Sequence, residues 1–128
     1  MAVVEGEDKL AALDEALDLA RFHDFLDRKR AATGKDRHEL HIAIKTNLMM
    51  LLSGDDRGPV TDPALVEHLV ARLAAEGYTQ VTLVEAQNIY GNAFKDRTVE
   101  RVAEEAGYST PFLDLTETRP VTYDSPFL

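Results

Sequence analysis

Apolar residues near the amino end recur at three- and four-residue steps: Leu10, Leu13, Leu17 and Ala20, then Phe22, Phe25 and Leu26 after a small rotation of the stripe. This period predicts a helix over residues 7–33. Acids at its start (Glu5, Glu7, Asp8) and bases at its end (Arg28, Lys29, Arg30) suit the helix dipole, and Gly34 can close it. The basic cluster is then a solvated helix end rather than a phosphate site.

The period changes at Leu40. Leu40, Ile42 and Ile44 alternate with His41, Ala43 and Lys45, which predicts a strand. Turn chemistry follows at 53–59, and then Asp62 and Pro63 signal a helix start. Leu65, Leu69 and Leu73 with Val66 and Val70 form one stripe of that helix, and Gly77 ends it. The run from Val81 through Val84 reads as a strand buried on both faces. Asp96 is the expected cap of a further helix that turns Val99, Val102, Ala103 and Ala106 inward and closes at Gly107. Phe112 to Leu115 reads as a third strand, and Val121 to Tyr123 as a short fourth.

Gly77-Tyr78-Thr79 recurs as Gly107-Tyr108-Ser109, each time ahead of a strand. One helix and one strand fill the interval, so the repeat is a βαβ unit. The expected fold is a single α/β domain over residues 1–128, three-layered, with a small, mostly parallel sheet of Rossmann-like βαβ units. Residues 38–124 form its βαβαβ core, and the long N-terminal helix covers one face.

The connections are unequal. Helix-to-strand links are short, at Gly77–Thr79 and Gly107–Ser109, whereas strand-to-helix links run over roughly Leu48–Thr61 and Ala86–Lys95. Both long links leave the carboxyl ends of parallel strands, the edge at which open α/β sheets bind ligands. The candidate ligand-binding residues gather there: Lys45, Asn47, Glu85, Asn88, Tyr90 and Asp114. Thr46, Gln87 and Thr116 belong to the same polar group. Glu85 and Asp114 end adjacent strands and form a carboxylate pair suited to an oxygen-seeking cation or to acid–base work. The alternative is structural, with these groups capping helices and satisfying strand ends.

Charge and composition narrow the classes. Lys and Arg total 14 against 23 Asp and Glu, a net charge of −9, which argues against a nucleic-acid footprint. No apolar run is long enough to span a bilayer, and the amino end lacks a secretory pattern, so no membrane partner is expected and a cytoplasmic location is. With no Cys, the chain can form neither disulfides nor an iron–sulfur cluster of its own. Gly-rich nucleotide cradles are missing, and Gly54 and Gly58 bracket an acidic loop. His38 and His41, on opposite faces of a strand, complete no zinc signature, and His68 reads as a surface residue.

Three stretches together carry a family resemblance: IAIKTNLMM; VTDPALVEHLVARLAAEGYTQVTLVEAQNIYG; and RTVERVAEEAGY with the later FLDLTE. Lys45 and Asn47 after the first strand, Thr61-Asp62-Pro63 at the helix start and Glu85 after the second strand are its marks. From about Ile42 to Glu117 the chain resembles the domain of unknown function 362 family. The resemblance brings no reaction, and the ferredoxin-like clusters of some members have no counterpart in a chain without Cys. It also implies that the chain is an N-terminal piece of a longer protein. Binding of a small polar ligand or divalent cation at the strand ends is the first functional expectation. The second is a non-catalytic module that docks a partner, another copy of the chain (a homo-oligomer) or a C-terminal domain.

Overall fold

The computed structural model describes residues 3–48, 60–87 and 98–118. It shows an α/β fold with a three-stranded parallel sheet in the order β1-β2-β3. The strands are β1 (Ile42–Lys45), β2 (Val81–Glu85) and β3 (Phe112–Asp114). The helices are α1 (Lys9–Leu19), α2 (Phe22–Thr33), α3 (Pro63–Ala75) and α4 (Val99–Ala106), with a short 3-10 turn at Arg37–Glu39. β1-α3-β2 and β2-α4-β3 are the two expected βαβ units.

Start and stop chemistry explains the helices. The Asp8 carboxylate accepts from the amides of Leu10 and Ala11, and Asp62 accepts from the amide of Ala64 ahead of Pro63. Gly34, Gly77 and Gly107 take positive φ at the helix ends, where a side chain would be strained. The cap of α4 is Thr98, whose hydroxyl accepts from Arg101 N–H, in place of the expected Asp96, which lies outside the described residues. The expected fourth strand at 121–123 also lies outside them.

The expected covering helix over 7–33 is two helices. Arg21 adopts a left-handed φ of 54°, breaking the helix, while its guanidinium pairs with Asp24 in the next turn. The rotation of the apolar stripe between Ala20 and Phe22 marks this corner.

Register sorts the sheet into two faces. Ile42 lies opposite Val81, Ile44 opposite Leu83, and Leu83 opposite Phe112, so these side chains share one face. On that face Leu26 of α2 and Leu73 of α3 pack with Leu40, Tyr78 and Val81, flanked by Ile42, Ile44 and Leu69. Farther along, Val99, Val102 and Ala103 of α4 pack with Leu48 and Phe112. On the other face Ala43 and Leu113 are exposed. The layers therefore differ from the expected sandwich. Among the described residues the core helices gather on one face, and α1 packs against α2 and α3 rather than on the opposite side. A parallel sheet whose crossovers keep one hand and whose strands follow in sequence puts successive helices on the same side.

A polar seam holds α1. Arg72 of α3 donates to Asp14 at 2.8 Å and also to Asp18. His68 lies 3.0 Å from Asp14, so it is half-buried in this seam rather than on the free surface. Hydrogen bonds from Arg72, then from His68, hold the Asp14 carboxyl below its ordinary range. His23 of α2 lies between Glu76 at 2.8 Å and Arg72 at 2.6 Å. Because arginine only donates, Nε2 of His23 is the acceptor and Nδ1–H faces Glu76.

Candidate ligand site at the carboxyl ends of the strands

β1 ends at Lys45 and α3 begins at Pro63, and β2 ends at Glu85 with α4 beginning at Val99. The returns are shorter, from Ala75 to Val81 and from Ala106 to Phe112. The inequality read from the sequence is thus present, with the long connections at the carboxyl edge. Asn88 and Tyr90 lie outside the described residues.

Glu85 ends the central strand and is 5% exposed. Its register partner on β3 is Asp114, so the expected carboxylate pair does share one face. One Glu85 oxygen accepts from the Ala86 amide at 2.9 Å, and the other accepts from Lys45 Nζ at 2.9 Å. The Lys45 side chain is 72% exposed, so a solvated cation lies over a buried anion. A carboxylate offers about four lone-pair positions, and these two donors leave capacity for more.

The other candidates are anchored differently. Asn47 donates its amide to the Thr61 hydroxyl at 2.8 Å, and its carbonyl accepts from the Thr61 amide at 2.8 Å. Its backbone therefore clips the exit of β1 to the entry of α3. Asp114 accepts from the Thr116 amide at 2.8 Å and from the Thr116 hydroxyl, a local turn that occupies one of its oxygens. Gln87 links two elements: its amide donates to the Thr116 hydroxyl, and its side-chain oxygen accepts from the first amide of α4.

Thr46 is the residue that sequence reading left undistinguished among its neighbours. Its amide donates to the Val84 carbonyl at 3.2 Å, continuing the ladder and setting it beside Glu85. The residue is 1% exposed, and its hydroxyl has no hydrogen-bond partner among the described residues. The signal for burial lay in the alternation itself, because Thr46 falls on the same parity as Ile42 and Ile44. Thr46, Glu85 and Asp114 thus form a row across the strand ends.

Grouping by metal-ligand reach points elsewhere. Among the described residues the cluster with suitable donor spacing is Asp36, His38 and Glu39, all exposed. Asp36 and Glu39 already serve a reciprocal capping box on the 3-10 turn, with the Asp36 amide donating to Glu39 at 3.0 Å. His38 therefore lies on a 3-10 turn, not on the strand expected for it.

Comparisons with protein-family models, curated proteins and solved structures return no match. Among the described residues no helix is long and apolar enough to cross a membrane.

Proposed function

We propose that the chain binds a small polar ligand at the carboxyl ends of β1 and β2, with the Glu85 carboxylate and Thr46 hydroxyl as its recognition groups. The observation that carries this reading is the buried Thr46 hydroxyl, without a partner among the described residues, beside a buried carboxylate with spare lone pairs. A buried hydroxyl without a partner costs roughly 1–3 kcal/mol, which a ligand hydroxyl or amine can recover. Such a ligand would donate to Glu85 and exchange a hydrogen bond with Thr46. A divalent cation fits less well, because Lys45 already neutralises Glu85 and Thr116 engages Asp114. No reaction is assigned to the site. Kinship with the domain of unknown function 362 family is compatible with this reading and adds no chemistry to it.

Thermal unfolding against sugars, amines, carboxylic acids, nucleotides and divalent cations tests the proposal. A true ligand at about a hundred times its dissociation constant adds roughly 2.7 kcal/mol. That gain should vanish in Thr46→Val. A gain that survives both Thr46→Val and Glu85→Gln would overturn the assignment. The competing reading, a docking module, draws on Leu113, 49% exposed on the open sheet face. Concentration-dependent sedimentation with no ligand response across the panel would favour it.

A further inference from the structure

A cavity lies away from the strand ends and differs from them in chemistry. It measures about 420 Å³ and opens between α2, β1 and α3. Phe22 and Leu26 of α2, Ile42 and Ile44 of β1, and Leu69 of α3 line its wall, with Phe25 at 45% exposure alongside. Ligand sites commonly measure roughly 300–1,000 Å³ and are mostly apolar with a few polar groups that fix orientation. Lys29, Thr33 and His41 are the polar residues of the lining.

The cation is the informative member. Lys29 Nζ lies 5.5 Å from the centroid of the Phe25 ring, and among the described residues no carboxylate pairs with it. Its place at the edge of an apolar cavity is what sets this ammonium apart. His41, just ahead of β1, borders the cavity but shares its parity with Ala43 of the other sheet face, so Lys29 is the head-group donor. Thr33 adds none, because its hydroxyl already donates to the carbonyls of Lys29 and Arg30.

We propose that this cavity binds a free medium-chain aliphatic carboxylate. Its alkyl chain would lie among Phe22, Leu26, Ile42 and Leu69, and its carboxylate would accept from Lys29. Charge complementarity selects the head group, and the apolar wall selects the tail. The proposal is independent of the strand-end site, since none of Thr46, Glu85 or Asp114 lines this cavity.

Calorimetric titration of the full chain with sodium decanoate, kept below its micelle concentration, tests the idea. Saturable one-to-one binding is expected, weakened about tenfold by Lys29→Glu, the size of one lost charge-assisted contact. Glu85→Gln should leave decanoate binding unchanged. 1-Decanol, which shares the tail and lacks the charge, should bind more weakly. Decanol binding as tightly as decanoate, or Lys29→Glu binding decanoate like the parent chain, would overturn the proposal. Absence of saturable binding would overturn it too, as would self-association that Phe25→Asp abolishes and decanoate does not compete with, since a second copy would then fill the cavity.

Discussion

Glu67 and Glu85 are both carboxylates held within the fold, one on a helix and one at the end of the central strand, and their surroundings assign them different work. Glu67 accepts from the Ser109 amide at 2.9 Å, the Thr110 amide at 3.2 Å, and both hydroxyls of those residues. Its lone pairs are spoken for, and it fastens α3 to the segment leading into β3. Glu85 takes one backbone amide and one solvated lysine, beside a hydroxyl that has no partner among the described residues. A saturated carboxylate is a fastener. An unsaturated one, placed where the long connections leave the sheet, is receptive.

The contrast breaks most visibly at the fastener. Glu67→Ala strips the acceptor from four donors, two of them on Thr110, which is only 7% exposed. A loss of about 2–3 kcal/mol in chemical denaturation is expected, because a buried donor left unpaired bears its full desolvation cost. A loss below 0.5 kcal/mol would show that those donors find water or other acceptors and that Glu67 is no fastener.

Acid titration sharpens the same point. Burial alone would push the Glu67 carboxyl up, but the hydrogen bonds from Ser109 and Thr110 outweigh it and leave it below its ordinary value. A depressed folded value means that the charged form is favoured in the fold. Its stabilisation is complete above the unfolded carboxylate range, near pH 4.3, and is lost as pH falls through the folded value. Glu67→Gln should therefore flatten the fall in stability below about pH 5. It should not abolish it, since Asp14 and Asp62 are depressed in the same direction by Arg72 and Lys9. An unchanged acid slope would remove Glu67 from the account.

How far the sequence reached follows the same division between closed and open chemistry. Period and punctuation located all three described strands and the helices α3 and α4, because alternation, Asp62-Pro63 and the positive-φ glycines are local signals. The corner at Arg21 was missed, since a left-handed arginine has no sequence signature and only the rotated stripe hinted at it. The repeat at Gly77 and Gly107 was legible, but the roles of its tyrosines were not. Tyr78 is buried in the core beneath Arg37, whereas the Tyr108 hydroxyl donates to the Thr61 carbonyl. At the candidate site, Glu85 and its register with Asp114 were readable from strand ends. The idle hydroxyl of Thr46 was not, because satisfaction of a buried group depends on what lies opposite it in three dimensions.

Thr46→Val probes that hydroxyl with a near-isosteric change. If it lacks a partner, removing it should raise stability by about 1 kcal/mol, since a desolvated polar atom is replaced by a methyl. A loss of 1 kcal/mol or more would mean that the hydroxyl is satisfied and that no unpaired polar group stands beside Glu85.

The smallest expected effect is the most discriminating. Glu85→Gln keeps the side-chain oxygen that accepts from the Ala86 amide and removes the charge facing Lys45. Because Lys45 is 72% exposed, its ammonium is left in water rather than stranded, and exposed ion pairs contribute roughly 0–1 kcal/mol. Replacing a buried carboxylate with an amide also relieves part of its desolvation cost, which opposes that loss. The ligand-free chain should therefore change by less than about 0.5 kcal/mol, within the range of ordinary surface substitutions. Any stabilisation found with a polar ligand should nevertheless disappear, because an amide nitrogen cannot accept the hydrogen bond that the carboxylate oxygen took. A ligand-free loss of 2 kcal/mol or more would instead place Glu85 with Glu67 among the fasteners. The comparison would then collapse into two versions of one structural role.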